Sequence, residues 1–166
     1  RAVIPVEIMK TSIEAKRMFL LFESGGAPYA VDCAGVVEVV PRVALQTMDG
    51  AAGRLHYRGR WIPVVDLSAL LGGSASAGRL STRILVVRGA DPREEGNLLG
   101  LIVERAVRVA RVAEADVSSA PAEAGAPACV AGRVTHEGQA VRRIEMPRVL
   151  SPALQNALFR HPAGGV

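Results

Sequence analysis

The sequence is poor in the residues that build metal sites, disulfide frameworks and aromatic stacking surfaces. It has two cysteines and three histidines, and aromatic residues make up 4% of its 166 residues. Cys33 and Cys129 stand far apart in apolar surroundings, which predicts buried small apolar residues in a reducing compartment rather than a disulfide or zinc site. No apolar run approaches the ~20 residues of a membrane-spanning helix, and no signal peptide is predicted.

Motifs for catalysis are also missing. There is no G-x-S-x-G, and the glycine-rich stretch 72–78 lacks the Lys-Ser/Thr of a phosphate-binding loop. The histidines are dispersed, with no carboxylate or cysteine at metal-ligand spacing, and Glu94-Glu95 lies in a polar loop. We therefore expect no catalytic residue, metal or cofactor. An enzyme with an unrecognised site remains an alternative, and it would need a cleft that perturbs the pKa of titratable groups.

The net charge of +4 does not come from a basic run, because the arginines are scattered along the chain and few aromatics lie between them. This pattern is typical of a solvated basic surface, and we expect no nucleic-acid partner. A small basic β-barrel that binds nucleic acid is kept as the less favoured alternative. It predicts association with oligonucleotides that weakens as salt is added.

What the sequence does have is an internal repeat. The stretch 53–72 shows alternating strand patterns around an Arg-Gly turn, and a similar stretch follows seventy-nine residues later, at 132–150. The pairs that match best at this offset are Gly53 with Gly132, Gly59 with Gly138 and Val65 with Ile144. At an offset of seventy, Val31, Cys33, Val37 and Val39 match Leu101, Val103, Val107 and Val109.

The apolar content, 49% of the residues, is mostly valine, alanine and leucine, which suits short buried strands. About ten strands in two similar sets of five predict an all-β fold of two small barrels packed together. The small-residue linker places the boundary at residue 78, giving a lead-in over 1–17 and barrels over 18–78 and 79–150. Ser151-Pro152 predicts the start of a short C-terminal helix, with a tail to residue 166.

Two charged residues stand out near this repeat. Glu38 interrupts the run of valines between Val36 and Val40, and Arg58 occupies the hairpin turn. They are either two exposed charges or an ion pair that fixes the hairpin against the valine segment. Because successive strand residues face opposite ways, the valines cannot all enter one core. The remaining apolar surface is either covered by the adjacent half or forms a groove for a partner.

The succession F-L-L-F, Y-A-V-D, V-V-E-V, R-G-R-W-I-P-V-V-D-L, T-R-I-L-V-V and G-L-I-V-E resembles the CheW family over residues 18–158. The resemblance implies two five-stranded SH3-like β-barrels in pseudo-twofold relation. It also implies a non-enzymatic, cytoplasmic adaptor at membrane-associated receptor arrays. Such adaptors bind the hairpin tip of methyl-accepting chemoreceptors and the regulatory domain of a CheA-type histidine kinase, and so couple the two.

The resemblance also assigns residues. Those that match the family's receptor-binding positions are Val36, Glu38, Gly53, Arg58 and Val109, and the Glu38–Arg58 pair matches a family ion pair. Those expected on the second-barrel side that faces the kinase are Thr82, Arg83, Ile84, Val86 and Gly100. Open strand edges would suit a helical hairpin or a like-folded barrel, and would also allow weak self-association.

The sequence departs from the family pattern at several positions. His56-Tyr57 replaces the usual Asn-Leu, Val103-Glu104 replaces Val-Asp, and the last strand carries Arg142, Arg143 and Pro147 where the family is more apolar. These departures favour a paralogue in an alternative chemosensory pathway, such as surface sensing, pili or cyclic-dinucleotide output, whose two arginines discriminate against the wrong kinase. Because the chain begins at Arg1, the regulatory domain of a CheA kinase, or the adaptor half of a CheV-like protein, is a further alternative.

Overall fold

The computed structural model describes residues 15–49, 51–74, 76, 78, 80–119 and 124–159, so most of the predicted lead-in and tail lie outside the described residues. The described strands are β1 (Lys16–Ser24), β2 (Ala27–Asp32), β3 (Val36–Pro41), β4 (Gly53–Tyr57), β5 (Arg60–Asp66), β6 (Thr82–Arg88), β7 (Leu98–Ala113), β8 (Val117–Ser118), β9 (Val130–His136) and β10 (Gln139–Ile144). Two short helices, α1 (Leu67–Leu70) and α2 (Pro152–Phe159), and three 3₁₀ turns complete them. The predicted all-β fold with a C-terminal helix is confirmed.

The long strand β7 takes part in two barrels. Its first part pairs with β6 and, in parallel, with β5, whereas its last part pairs with β1. Arg105, which lies between the two parts, has a φ of 47°. The first barrel therefore consists of β3, β6, the first part of β7, β5 and β4. The second consists of the last part of β7, β1, β2, β10 and β9, with β8 added at its end.

This pairing departs from the expectation of one barrel in each half of the sequence, because the halves exchange strands. The first barrel takes β6 from the second half, and the second barrel takes β1 and β2 from the first. The exchange occurs at equivalent places, where Val65 lies opposite Leu101 and Ile144 lies opposite Val31. Alternation in a strand defines which residues share a face, but it does not define the neighbouring strand.

The two matching hairpins have the same turn geometry. Arg58-Gly59 has φ values of 47° and 82°, and Glu137-Gly138 has 49° and 77°. Positive φ at both central residues is the type I′ geometry, whose twist matches that of the flanking strands. The repeat found in the sequence is therefore a repeat of local structure.

Apolar side chains form three clusters. One fills the first barrel and includes Ile84 and Val86 of β6, and another fills the second barrel around Phe19. The third, called here the interbarrel core, lies between the barrels and includes Leu85 and Val87. Strand β6 thus supplies alternate residues to two cores, which explains its nearly continuous apolar sequence.

The two cysteines are packed as expected. Cys129 is buried in the interbarrel core, and Cys33 is partly buried against it. Burial raises the pKa of both thiols above the ordinary value. Neither thiol therefore has the lowered pKa that is typical of a nucleophilic cysteine.

The glycine- and serine-rich segment predicted as a linker is held in place at one point. Ser76 donates from its backbone nitrogen and its hydroxyl to the Asp66 carboxylate, at 2.7 and 2.8 Å. The same carboxylate accepts from the backbone nitrogen of Ser68 at 3.0 Å and so caps α1. Asp66 therefore fixes the chain on both sides of α1.

The loop between β6 and β7, predicted only as polar, contains a buried carboxylate. Asp91 is 2% exposed and accepts hydrogen bonds from the Arg93 guanidinium and from Asn97 Nδ2, at 2.9 and 3.0 Å. Arg93 also donates to Asn156 Oδ1 of α2 at 2.6 Å, and Gln155 donates to the Ala90 carbonyl. This network attaches the C-terminal helix to the first barrel.

We expect Asp91→Asn to lower stability at neutral pH by about 1–3 kcal/mol, because it removes a buried, charge-assisted set of hydrogen bonds. The Arg93 hydrogen bond lowers the pKa of the Asp91 carboxyl below 3.8. A carboxyl whose pKa is depressed by folding stabilises the protein fully above its unfolded pKa, and this contribution is lost as the pH falls through the folded value. The difference between wild type and variant should therefore shrink below about pH 4. Urea denaturation from pH 7 to pH 3 measures it.

The matched control for that experiment is Asp116→Asn, which makes the same substitution at an exposed aspartate. It should change the free energy of unfolding by less than about 0.5 kcal/mol at every pH. A constant gap between Asp91→Asn and wild type down to pH 3 would contradict the role given to the ionised carboxylate.

Candidate functional site

The ion pair predicted between Glu38 and Arg58 is present in the structure. Arg58 Nη2 donates to Glu38 Oε2 at 3.2 Å, and the two side chains are 70% and 42% exposed, respectively. Glu38 lies in β3, and Arg58 lies in the turn between β4 and β5. Because β3 and β4 are the first and last strands of the first barrel, the pair connects its two ends. An ion pair this exposed contributes about 0–1 kcal/mol to stability, so its value lies in what it presents to solvent.

Tyr57 is the member of this site that the sequence interpretation missed. It is 8% exposed, its hydroxyl donates to the same Glu38 Oε2, and its ring centroid lies 5.2 Å from the Arg58 guanidinium carbon. The hydrogen bond to Glu38 and, to a smaller extent, burial raise the pKa of the Tyr57 phenol. The hydroxyl therefore remains a donor at neutral pH. The sequence contained one signal for this contact. Strand alternation turns Tyr57 inward, and a buried tyrosine hydroxyl needs a hydrogen-bond partner.

Two further residues of the predicted receptor set lie in the first barrel with different roles. Val36 begins β3 and packs partly buried against the interbarrel core. Gly53 has a φ of 150°, and a Cβ there would lie 2.7 Å from the Gln46 carbonyl oxygen. Gly53 therefore shapes the entry to the hairpin rather than presenting a side chain.

Val109 lies in the second barrel, on the last part of β7 opposite Leu20 of β1. Its equivalent in the first barrel is Val39, opposite Leu85 of β6. Opposite residues of an antiparallel pair have side chains on the same face, and both leucines belong to the interbarrel core. Val109 and Val39 are nevertheless 55% and 37% exposed. The interbarrel core therefore continues to an exposed valine on each barrel, called here the valine margins.

The structure shows how much of the valine segment 36–40 is covered by the fold and how much remains exposed. Val37 and Val40 pack partly buried against the first-barrel core, and Val36 packs against the interbarrel core. Val39 is the exposed member of the four, at 37%, and the other three are partly buried. Part of the segment is thus covered by the fold, and part remains as apolar surface.

The residues expected to face the kinase lie mostly inside the protein, and β6 belongs to the first barrel rather than the second. Ile84 and Val86 are completely buried in the first-barrel core, and Thr82 is 1% exposed. A Cβ on Gly100 would lie 2.8 Å from Val64 Cγ2. The side chains of Thr82, Ile84 and Val86 therefore pack inside the protein and Gly100 makes room for Val64, and the assignment of this set to kinase binding stays a prediction. Arg83, which is partly exposed, remains available for contact.

The two arginines of β10 are also different from each other. Arg143 is 9% exposed, and its Nη2 lies 3.3 Å from Glu145 Oε1. Arg142 is exposed. The expectation that both discriminate between partners is corrected for Arg143, whose side chain is turned into the protein, and stays a prediction for Arg142.

Two clefts of about 560 and 690 Å³ lie beside α1 and the start of α2, and both are lined by Leu70 and Leu154. Neither is lined by residues of the predicted receptor or kinase sets. The exposed side chains of the predicted receptor set, Glu38, Arg58 and Val109, thus lie outside both clefts, on surface that suits a protein partner better than a small ligand.

A sequence profile of the CheW-like domain matches residues 18–153. The chain belongs to the CheW-like domain family. Its fold is similar to the crystal structure of the scaffolding protein TtCheW from Thermoanaerobacter tengcongensis, with a TM-score of 0.71 and 22% identity. The match covers 82% of this chain and 89% of that protein's chain. Comparison with curated protein sequences finds no match. The two SH3-like barrels expected from the resemblance are confirmed.

Neither helix of the described residues has the length and apolar character needed for a helical membrane crossing.

Proposed function

We propose that this CheW-like chain is a non-enzymatic adaptor that couples methyl-accepting chemoreceptors to a CheA-type histidine kinase. The observation that carries the proposal is the charged pair on the first barrel, together with the exposed valine margin on each barrel. Binding to receptors would hold the adaptor on the cytoplasmic side of the membrane, at receptor arrays.

The receptor surface in this proposal combines apolar and charged contacts. Val39 and Val109 offer apolar area on both barrels, and Arg58 offers an exposed guanidinium beside it. An amphipathic helical hairpin places an apolar stripe and flanking charges on one side, so it can match both features. Apolar contact surrounded by polar groups is the usual composition of protein interfaces.

The kinase surface is proposed at the start of β6, around Arg83, because apolar cores cover both faces of the rest of this strand. Arg83 is the partly exposed member of the predicted set, and the buried members keep the strand in position. A regulatory domain of the same fold could dock edge to edge on the neighbouring strand β3, whose one pairing among the described strands is with β6. The same strand edges would allow weak self-association.

The proposal also includes the pathway. Arg142 is exposed on β10, and His56-Tyr57 departs from the usual Asn-Leu. Both features support a paralogue that serves an alternative chemosensory output. In that case Arg142 disfavours the kinase of the other pathway by placing a positive charge at the contact.

Reconstitution of receptor-containing membranes with a CheA-type kinase tests the function. We expect the chain to sediment with the receptors and to raise kinase autophosphorylation severalfold over kinase and receptors alone. Arg83→Glu should reduce kinase recruitment at least threefold and leave receptor sedimentation unchanged. The control is Arg88→Glu, an exposed arginine at the end of the same strand. If the wild-type chain binds neither protein, or binds both without changing autophosphorylation, the coupling role is wrong.

A further inference from the structure

Three side chains form a closed triangle at the rim of the first barrel. Tyr57 and Arg58 both donate to one oxygen, Glu38 Oε2, and the Arg58 guanidinium lies over the Tyr57 ring. The tyrosine is the buried member, and the two charged residues are the exposed ones. Each charged side chain is therefore held by the same core residue.

Tyr57 has little freedom to move. It packs with the first-barrel core beside Leu55 and Ile62, and its backbone pairs with Arg60 across the hairpin. A ring fixed by packing and a hydroxyl fixed by a hydrogen bond together define one position for the carboxylate and one for the guanidinium. Long side chains at a surface otherwise lose rotamer freedom on binding, which weakens affinity.

We propose that Tyr57 is a positioning residue that sets affinity and specificity for the receptor by preorganising Glu38 and Arg58. Arg58 is 70% exposed, so some of its five N–H donors face solvent. The partner group that fits them is a carboxylate on a helix of the receptor tip, because guanidinium and carboxylate pair in a bidentate geometry. The inference rests on the proposed function, since it concerns the same surface.

Calorimetric titration with a receptor signalling-tip fragment tests this role. Tyr57→Phe keeps the ring and removes the hydroxyl, and we expect receptor affinity to fall three- to tenfold. The effect should vanish in the Glu38→Ala background, because the hydroxyl acts through the Glu38 carboxylate, and the double-mutant cycle measures this dependence. Tyr29→Phe, which removes the hydroxyl of the other tyrosine from the interbarrel core, is the control and should bind as the wild type does.

Unchanged affinity of Tyr57→Phe, or an equal loss with and without Glu38, would overturn the proposal. Nitrogen-15 relaxation at Arg58 Nε gives a readout that needs no receptor. We expect this group to become more mobile on the nanosecond timescale in Tyr57→Leu, which removes ring and hydroxyl, while folding is checked by the amide spectrum. If the wild type does not bind receptor, the proposed function fails. The positioning role would then be decided by the relaxation data alone, and unchanged mobility would reject it.

Discussion

Gly132→Ala is expected to lower the free energy of unfolding by about 3–5 kcal/mol, the largest stability effect of any substitution considered for this chain. A Cβ at this position would lie 1.9 Å from the Ser118 carbonyl oxygen, and both atoms belong to or branch directly from the backbone. The φ of 97° adds strain for any residue other than glycine. Strand β9 would have to separate from β8 to accept the methyl group.

Gly138→Ala is the matched control, because it separates backbone strain from close approach. Its φ is 77°, yet nothing lies within 4 Å of the added Cβ. Only the conformational cost of about 1–2 kcal/mol should remain. Urea denaturation of both variants gives the two free energies of unfolding, which are compared with the same slope of free energy against urea concentration. A difference of less than about 1 kcal/mol between the variants would show that β8 and β9 do not approach closely at Gly132.

Arg58→Glu is expected to lower receptor binding by tenfold or more and to leave the fold intact. The substitution places a second carboxylate against Glu38 Oε2, where the guanidinium now lies at 3.2 Å. Like charges at this distance repel, and the surface loses the cation that faces a carboxylate on the partner. Sedimentation with receptor signalling fragments at low and physiological salt measures the loss.

Arg60→Glu tests whether charge alone explains that result. Arg60 is exposed on the same hairpin but donates to the Gly96 carbonyl at 2.9 Å instead of to Glu38. It should bind receptor within about twofold of the wild type, since rim charges outside the contact change affinity little. The charge swap Glu38→Arg with Arg58→Glu should restore the pair but not receptor binding. Full binding by Arg58→Glu would remove this residue from the receptor surface.

The exchange of strands has a consequence for how the partner surfaces are built. Each barrel contains strands from both halves of the sequence, and apolar residues from both barrels form the interbarrel core. The exposed valines Val39 and Val109 lie at equivalent margins of that core. A partner that covers both margins would contact both barrels.

Much of the site was predictable, because its signals are local or short-range. One charge among valines and another at a turn left two exposed charges or an ion pair open, the family resemblance favoured the pair, and the structure joins Glu38 to Arg58. The hydroxyl of Tyr57 was not found, because alternation places its ring in the core without showing what lies at the rim. The predicted kinase residues Ile84 and Val86 lie inside the first barrel. A strand that is apolar on both faces indicates that both faces are covered, but not which elements cover each face.

Short-range signals in the sequence define the local conformation of this chain. Glycine after Arg58 and after Glu137 favours the same positive-φ turns, and apolar alternation defines the strands around them. The tertiary structure decided which strands meet: β5 lies beside β7, and β10 lies beside β2, across the two halves. The physical reason is that strand pairing over long separations depends on how complete faces pack. Two related halves offer nearly equivalent faces, so only the assembled interbarrel core selects the exchanged arrangement.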